Sequence, residues 1–284
     1  MAEHVIRAGV IGDPIKHSRS PVIHRHWLET YGIAGRYDAI HVPAGEAAAF
    51  VARLAGAGLA GCNVTVPHKE DVFRALEKLT DTAQRIGAVN TVWLENGTPH
   101  GDNTDGYGFV ANLDQRAPGW DTGGKATVIG AGGGARAIVD SLLERGYDRV
   151  ALVNRTLARA EELAAHFGRN VTASGFADMA RELEDASLVV NTTTLGMEGT
   201  TGHVFDFSMV RDDCLATDIV YTPLMTPFLS AARDRGLATV DGLGMLLHQA
   251  VPGFERWFGT RPEVTAQLRR IVLETMGVTE DEDA

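Results

Sequence analysis

Val128-Ile129-Gly130-Ala131-Gly132-Gly133-Gly134-Ala135 ends a short apolar run and opens a stretch with helical spacing. It fits G-x-G-x-x-G/A, with Gly130, Gly132 and Ala135 at the three special places. The first makes a tight turn, the second lets backbone approach a pyrophosphate, the third packs helix on strand, and free amides at the helix start face the anion. Working outward, apolar runs at 126–129, 150–153, 188–191, 215–220 and 238–240 read as strands, with helices near 135–145, 157–167, 176–185 and 225–235. Strand–helix–strand at this spacing predicts a Rossmann-type doubly wound sheet. After the second strand, where an NAD enzyme places an acid for the ribose hydroxyl, stand Asn154, Arg155, Thr156 and then Arg159. Two guanidiniums four residues apart share a helix face and suit the 2'-phosphate of NADP. The competing reading has them balance Glu161 and Glu162 on a solvated helix.

Composition agrees with this texture. The 32 glycines in 284 residues exceed the roughly 7% average and punctuate short β-like runs. A hydrophobic fraction of 44% suffices for a core, and the length suggests two domains. A net charge of -11 repels polyphosphate chains, so a nucleic-acid partner is not expected. Cys62 and Cys214 lack paired spacing, which excludes a disulfide scaffold or cysteine zinc site and suits a reducing cytoplasm. The first residues, MAEHVIRAGVIGD, offer no basic and apolar export pattern, and no run is apolar and long enough to span a bilayer. No membrane partner is expected. The acidic end, TEDEDA at 279–284, reads as a solvated tail.

The first third reads as a second α/β unit. Strands are expected at 5–11, 37–42, 62–66 and 90–94, alternating with helices at 21–31, 45–54, 69–78 and 82–86 in consecutive crossover units. Ser20 before Pro21 suits a helix cap. A helix at 106–114 and a turn-rich break at 116–124 precede the glycine-rich series, and helices at 245–258 and 263–275 follow it. Polar residues concentrate in Ser18-Arg19-Ser20-Pro21, Asn63 to Lys69, Ala88 to Thr91 and Asn103 to Gly106, at expected strand ends where open sheets bind ligands. Hydroxyls and amides there can hold a polyol or carboxylate, and a lysine with an aspartate supplies proton transfer.

Taken together, GDPIKHSRSP at 12–21, GCNVTVPHK at 61–69, GAVNT at 87–91, GDNTDG at 101–106, GAGGGARA at 130–137, NRT at 154–156 and DGLGMLLHQA at 241–250 resemble the shikimate dehydrogenase family over nearly the whole chain. The resemblance implies reversible NADPH-linked reduction of 3-dehydroshikimate to shikimate, toward aromatic amino acids. It implies a catalytic pair, Lys69 and Asp105, with Ser18 and Ser20 on the ring carboxylate. Thr65, Lys69, Asn90, Asp105 and Gln249 would meet the hydroxyl face, and Tyr221 would close over the ring. The implied cofactor contacts are Gly130 to Ala135, Asn154, Arg155, Thr156, Arg159, Asn191, Thr192, Gly242 and Met245.

Each residue also has a plainer role. Serine or Asp105 could cap a helix, Asn90 and Thr65 could close turns, and Lys69 could be solvated. His17, His24, His26, His68 and His248 lack acidic or cysteine partners at ligand spacing, so no metal is expected. A quinate/shikimate paralogue that prefers NAD, a methyltransferase and a non-catalytic nucleotide sensor remain alternatives. The expected architecture is an N-terminal α/β substrate domain at 1–105, completed by helices from 243–284, around an NADP-binding domain at 106–242. Oligomeric state stays open, a homodimer included.

Overall fold

Runs that are apolar on both sides form parallel strands covered on both faces. In the computed structural model, which describes residues 5–195 and 205–278, two such strands lie in the first third of the chain. They are β1 (Ile6–Gly12) and β3 (Gly61–Val64), with the polar, part-exposed β2 (Gly35–His41) parallel on the outer side of β1. The sheet continues through β4 (Lys78–Leu79), β5 (Thr91–Glu95) and β6 (Thr98–Asp102) in the order β2-β1-β3-β5-β6-β4.

This half departs from an unbroken crossover series. β5 runs antiparallel to β3, and β6 antiparallel to β5. The second pairing follows from Asn96-Gly97, both at positive φ (52° and 80°), a two-residue turn whose twist matches a hairpin. The helix expected to reach 78 stops at Ala75, because Leu76 is extended and Lys78–Leu79 pairs with β6. Register then places Asn63 beside Thr91, and Thr91 beside Asp102. The end of β3, the start of β5 and the end of β6 therefore share one rim of the sheet.

One face of this sheet packs on Val51, Leu54, Val72 and Ala83. Near β2 lie the rings of helices Ser20–Thr30 and Ala250–Phe258: His24, Trp27, Phe254 and Trp257. The Trp257 indole donates to the Val92 carbonyl at 3.0 Å, and it lies so close to Gly61 that a Cβ there would sit 2.0 Å from its nitrogen. His24 is fully buried and stacks on Tyr37 with ring centroids 3.8 Å apart. Among the described residues neither of its ring nitrogens has a hydrogen-bond partner, and burial pushes its pKa down to about 3.

That burial has a signed consequence. The unfolded state takes up a proton below its ordinary value of about 6.5 while the folded state does not, so acid removes stability by roughly 1.4 kcal/mol per pH unit, down toward the folded value. The wild type should lose about 2 kcal/mol through His24 between pH 6.5 and pH 5. Urea midpoints at the two values, compared with His24→Phe, measure this; equal pH dependence in both proteins would refute it.

The chain forms two compact units, one running to Asp105 and resuming at Leu246, the other spanning Gly106–Met245. In the second unit β7 (Gly124–Ile129), β8 (Tyr147–Val153), β9 (Val171–Ser174), β10 (Ala186–Asn191), β11 (Leu215–Asp218) and β12 (Ala238–Val240) pair in the order β9-β8-β7-β10-β11-β12. All pairs are parallel. The strand order reverses between β7 and β10, the switch point where such sheets bind ligands. Helices Gly133–Glu144 and Leu157–Phe167 bury Ala135, Ile138, Leu142 and Leu163 on one face, and Phe228 and Leu229 cover the other. β9 was not expected, since VTAS is too short and polar to read as a strand. The helix expected at 176–185 is a 3-10 turn, Phe176–Asp178, followed by Met179–Leu183. Residues expected as one helix at 245–258 divide into Leu243–His248 and Ala250–Phe258. The acidic stretch 279–284 lies outside the described residues.

Candidate active site

The shared rim of the first sheet gathers the polar residues singled out there. Lys69, the first residue of helix Lys69–Ala75, follows the loop after β3, and Asp105, the first of helix Asp105–Arg116, follows β6. The Lys69 Nζ lies 2.5 Å from Asp105 Oδ2, and Asn90 Nδ2 donates to Asp105 Oδ1 at 2.8 Å. Asp105 is no helix cap in the plain sense, since both carboxylate oxygens serve side chains. Asn103 Oδ1 accepts from the Asp105 amide at 3.1 Å instead. Lys69 retains partial exposure while Asp105 is largely covered, an ion pair with one open side.

Asn90 is buried, and its Oδ1 accepts from the Thr104 amide at 2.8 Å, which fixes the amide orientation. The Thr104 hydroxyl donates to the Gln249 carbonyl at 2.8 Å, placing Gln249 within one residue of Asp105's neighbourhood, while its side chain donates to the Leu246 carbonyl at 3.0 Å. Thr65 is half-buried beside β1, its amide donating to the Ile11 carbonyl at 3.0 Å. At the end of β1, Ser18 Oγ accepts from the Ser20 amide at 3.3 Å. Ser20 does not cap its helix as the sequence suggested: it is the first helical residue, Arg19 holds the cap position without a side-chain capping bond, and the Ser20 amide is met by Ser18. Its buried hydroxyl is thereby free of a capping duty.

In the second unit Gly130 has φ 113°, and a Cβ there would lie 2.5 Å from Thr192 Oγ1, so only glycine fits. Thr192 donates to the Ile129 carbonyl through both amide and hydroxyl, each at 2.8 Å, tying the switch-point loops together. Beyond the turn the surroundings open: among the described residues a Cβ at Gly132 or Gly133 would meet nothing within 4 Å, and no side chain caps helix Gly133–Glu144. Ala131 is half-buried, Ala135 fully buried, and Gly134 packs under Ile219. Uncapped amides facing open space fit a dinucleotide phosphate.

Arg155 and Arg159 are both exposed near the end of β8, but they do not share a helix face. Helix Leu157–Phe167 begins after Arg155, which stands in the bend with Asn154 and Thr156. Asn154 donates to the Thr156 carbonyl at 2.8 Å and stiffens that bend. Among the described residues neither arginine has an ion pair; Glu162 faces Arg136 instead, at 4.0 Å. Two cations without protein anions, at a strand end lacking a carboxylate, fit the extra phosphate of NADP.

Asn191 has a different surrounding from an open ligand contact: it is fully buried, donates to Asp218 Oδ2 at 2.9 Å and accepts from the Thr193 hydroxyl at 2.7 Å. Asp218, which the sequence reading passed over, also accepts from the Val220 amide and the Thr226 hydroxyl. Its burial pushes its pKa up to about 6 against these hydrogen bonds. Tyr221 follows on the same loop, half-buried, and Gly242 lies against the Ile219–Val220 backbone, with Met245 packed on the adjoining core. Asn63, Thr91, Asn103 and Thr104, which the sequence places in the polar segments without individual roles, are all buried and hydrogen-bonded at this rim.

His68 is buried, with Nε2 2.8 Å from the Val42 carbonyl, a tether for the loop that carries Lys69. Among the described residues no group of three or more His, Cys, Asp or Glu side chains could hold a metal ion.

A doubly wound sheet with an open glycine turn and a basic corner, together with a second unit that pairs lysine with aspartate, defines a dinucleotide-linked oxidoreductase acting on a CH–OH group. Family models match in chain order: a shikimate dehydrogenase substrate binding domain at 10–92, shikimate / quinate 5-dehydrogenase at 115–217 and a shikimate 5'-dehydrogenase C-terminal domain at 242–270. A shikimate dehydrogenase (NADP(+)) of Brucella melitensis is 56% identical over 273 residues, covering 95% of this chain and 94% of the relative. The chain belongs to the shikimate dehydrogenase family. The solved Thermus thermophilus shikimate 5-dehydrogenase, in complex with NADP(H) and shikimate, superposes with a TM-score of 0.85 at 34% identity, over 95% of this chain and 99% of that one. Quinate dehydrogenase from Corynebacterium glutamicum, in complex with NAD, gives 0.87 at 30% identity, over 95% and 99%.

Proposed function

We propose that this chain catalyses the reversible, NADPH-dependent reduction of 3-dehydroshikimate to shikimate, with Lys69 and Asp105 as its proton-handling pair. The observation that carries the reading is the Lys69–Asp105 contact, with Asn90 completing the carboxylate's partners. When bound, NADPH supplies the hydride. Lys69, held by Asp105 as an ammonium, donates a proton to the oxygen of the carbonyl being reduced and offsets the negative charge developing there. In the reverse direction a neutral Lys69 accepts the hydroxyl proton, and the neighbouring carboxylate stabilises the ammonium that results.

Ser18 and Ser20 hold the ring carboxylate in this reading, Thr65, Asn90 and Gln249 the hydroxyls, and Tyr221 the ring face. The amides of Gly130 to Ala135 meet the pyrophosphate, with Asn154, Arg155, Thr156 and Arg159 at the 2'-phosphate. Asn191, Thr192, Gly242 and Met245 shape the remainder, Asn191 through the backbone it holds. Ser20 and the missing acid after β8 favour shikimate and NADP over quinate and NAD. The proposal includes a cytoplasmic setting, supported by two free, buried cysteines, and a homodimer, for which edge strand β2 offers a surface. No helix among the described residues is long and apolar enough to cross a membrane.

Absorbance at the nicotinamide band, with shikimate or quinate and NADP or NAD in all four pairings, tests the reading. Shikimate with NADP should give the highest kcat/KM. Turnover favouring quinate with NAD would replace it by the paralogue, and binding of NADPH without turnover would replace it by a sensor. Sedimentation should give about twice the 30.4 kDa chain mass; a single chain mass would remove the dimer.

A further inference from the structure

The catalytic pair ends a continuous line of buried polar side chains that begins in the aromatic cluster. The Tyr37 hydroxyl donates to Asn63 Oδ1 at 2.6 Å. Asn63 Nδ2 donates to the Asn90 carbonyl at 3.2 Å and to Thr91 Oγ1 at 3.1 Å. Thr91, having accepted there, donates its own proton to Asn90 Oδ1 at 2.9 Å. Asn90 Nδ2 then faces Asp105, which faces Lys69.

Every amide in the line has one workable orientation. Asn63 must turn its nitrogen to the Asn90 carbonyl, which can only accept, and Asn90 must turn its oxygen to the Thr104 amide, which can only donate. The Thr91 hydroxyl joins the two as acceptor on one side and donor on the other. Tyr37 supplies the anchor: it is almost fully buried, stacked on His24 and in ring contact with Trp257, so its oxygen has little freedom to move. Burial also holds its phenol well above the ordinary pKa, which keeps it a neutral donor.

We propose that Tyr37 and Thr91 are positioning residues, holding the Asn90 amide, and through it the Asp105 carboxylate, in the orientation that aims Lys69. The inference rests on the proposed role of the Lys69–Asp105 pair. Neither residue touches substrate in this account; both act by keeping side chains from drifting, and small displacements of a catalytic group cost rate steeply.

The test is steady-state kinetics of Tyr37→Phe, Thr91→Val and Thr91→Ser with shikimate and NADP, beside the wild type. Tyr37→Phe and Thr91→Val should each lower kcat roughly 10- to 100-fold. KM for NADP should not change, and Thr91→Ser, which keeps the hydroxyl, should restore most of kcat. Unchanged kcat in both Tyr37→Phe and Thr91→Val overturns the proposal, as does a loss that serine fails to restore, which would mean packing alone. Should Tyr37→Phe not fold, the threonine pair decides. A wild type inactive on shikimate would refute the functional reading itself, a different outcome from variants that match an active wild type.

Discussion

Lys69→Met should lower kcat roughly 10²- to 10⁴-fold while KM for shikimate changes little. Methionine keeps the length and apolar stem of lysine but can neither donate a proton nor oppose the charge that builds on the substrate oxygen. That charge is small in the ground state and largest at the transition state, so the loss falls on kcat. The variant should remain folded, because Lys69 is partly exposed and its removal leaves Asp105 with the Asn90 donor at 2.8 Å. Steady-state rates in both directions measure the effect. A kcat near the wild-type value would make Lys69 a binding residue and leave proton transfer to another group.

Removing both guanidiniums at the end of β8, with Arg155→Ala and Arg159→Ala together, should lower kcat/KM for NADP about 100-fold and leave NAD nearly unchanged. Charge-assisted contacts are worth roughly 1.5 to 3 kcal/mol each when well formed. Both side chains are exposed, so the lower end applies. Among the described residues neither arginine has a protein anion to release, so phosphate binding breaks no ion pair there. Arg155→Asp should go further and raise the NAD preference, because an acid at this corner accepts from the ribose hydroxyl. Measuring both cofactors on each variant decides the matter. Equal loss with NADP and NAD would make the arginines a surface feature.

The nucleotide-binding half of the fold was legible because its information is local. A tight turn, a backbone approach and a helix start are each set by residues within one short segment, and the glycines at 130, 132, 133 and 134 declare them. The missing acid after β8 is local in the same sense. What misled there was geometry of a few residues: Arg155 precedes the helix that Arg159 belongs to, so a spacing rule for helices did not apply. Short elements were hardest. β9 and β4 have too few residues to show a period and exist because a neighbouring strand offers hydrogen bonds.

By itself, then, the sequence determined the family motifs, the parallel nucleotide-binding series, the glycine-rich turn after β7 and the residue types available for proton transfer. Tertiary structure decided which of them meet. Lys69, Asn90 and Asp105 come from three segments, and their ends reach one rim only because β5 pairs antiparallel to β3 and the Asn96-Gly97 hairpin returns β6 antiparallel to β5. The buried line from Tyr37 to Asp105 was equally hidden, since a hydrogen bond between residues far apart in the chain leaves no periodic trace. Its geometry follows from strand register and side-chain burial, quantities that exist only once the sheet has formed.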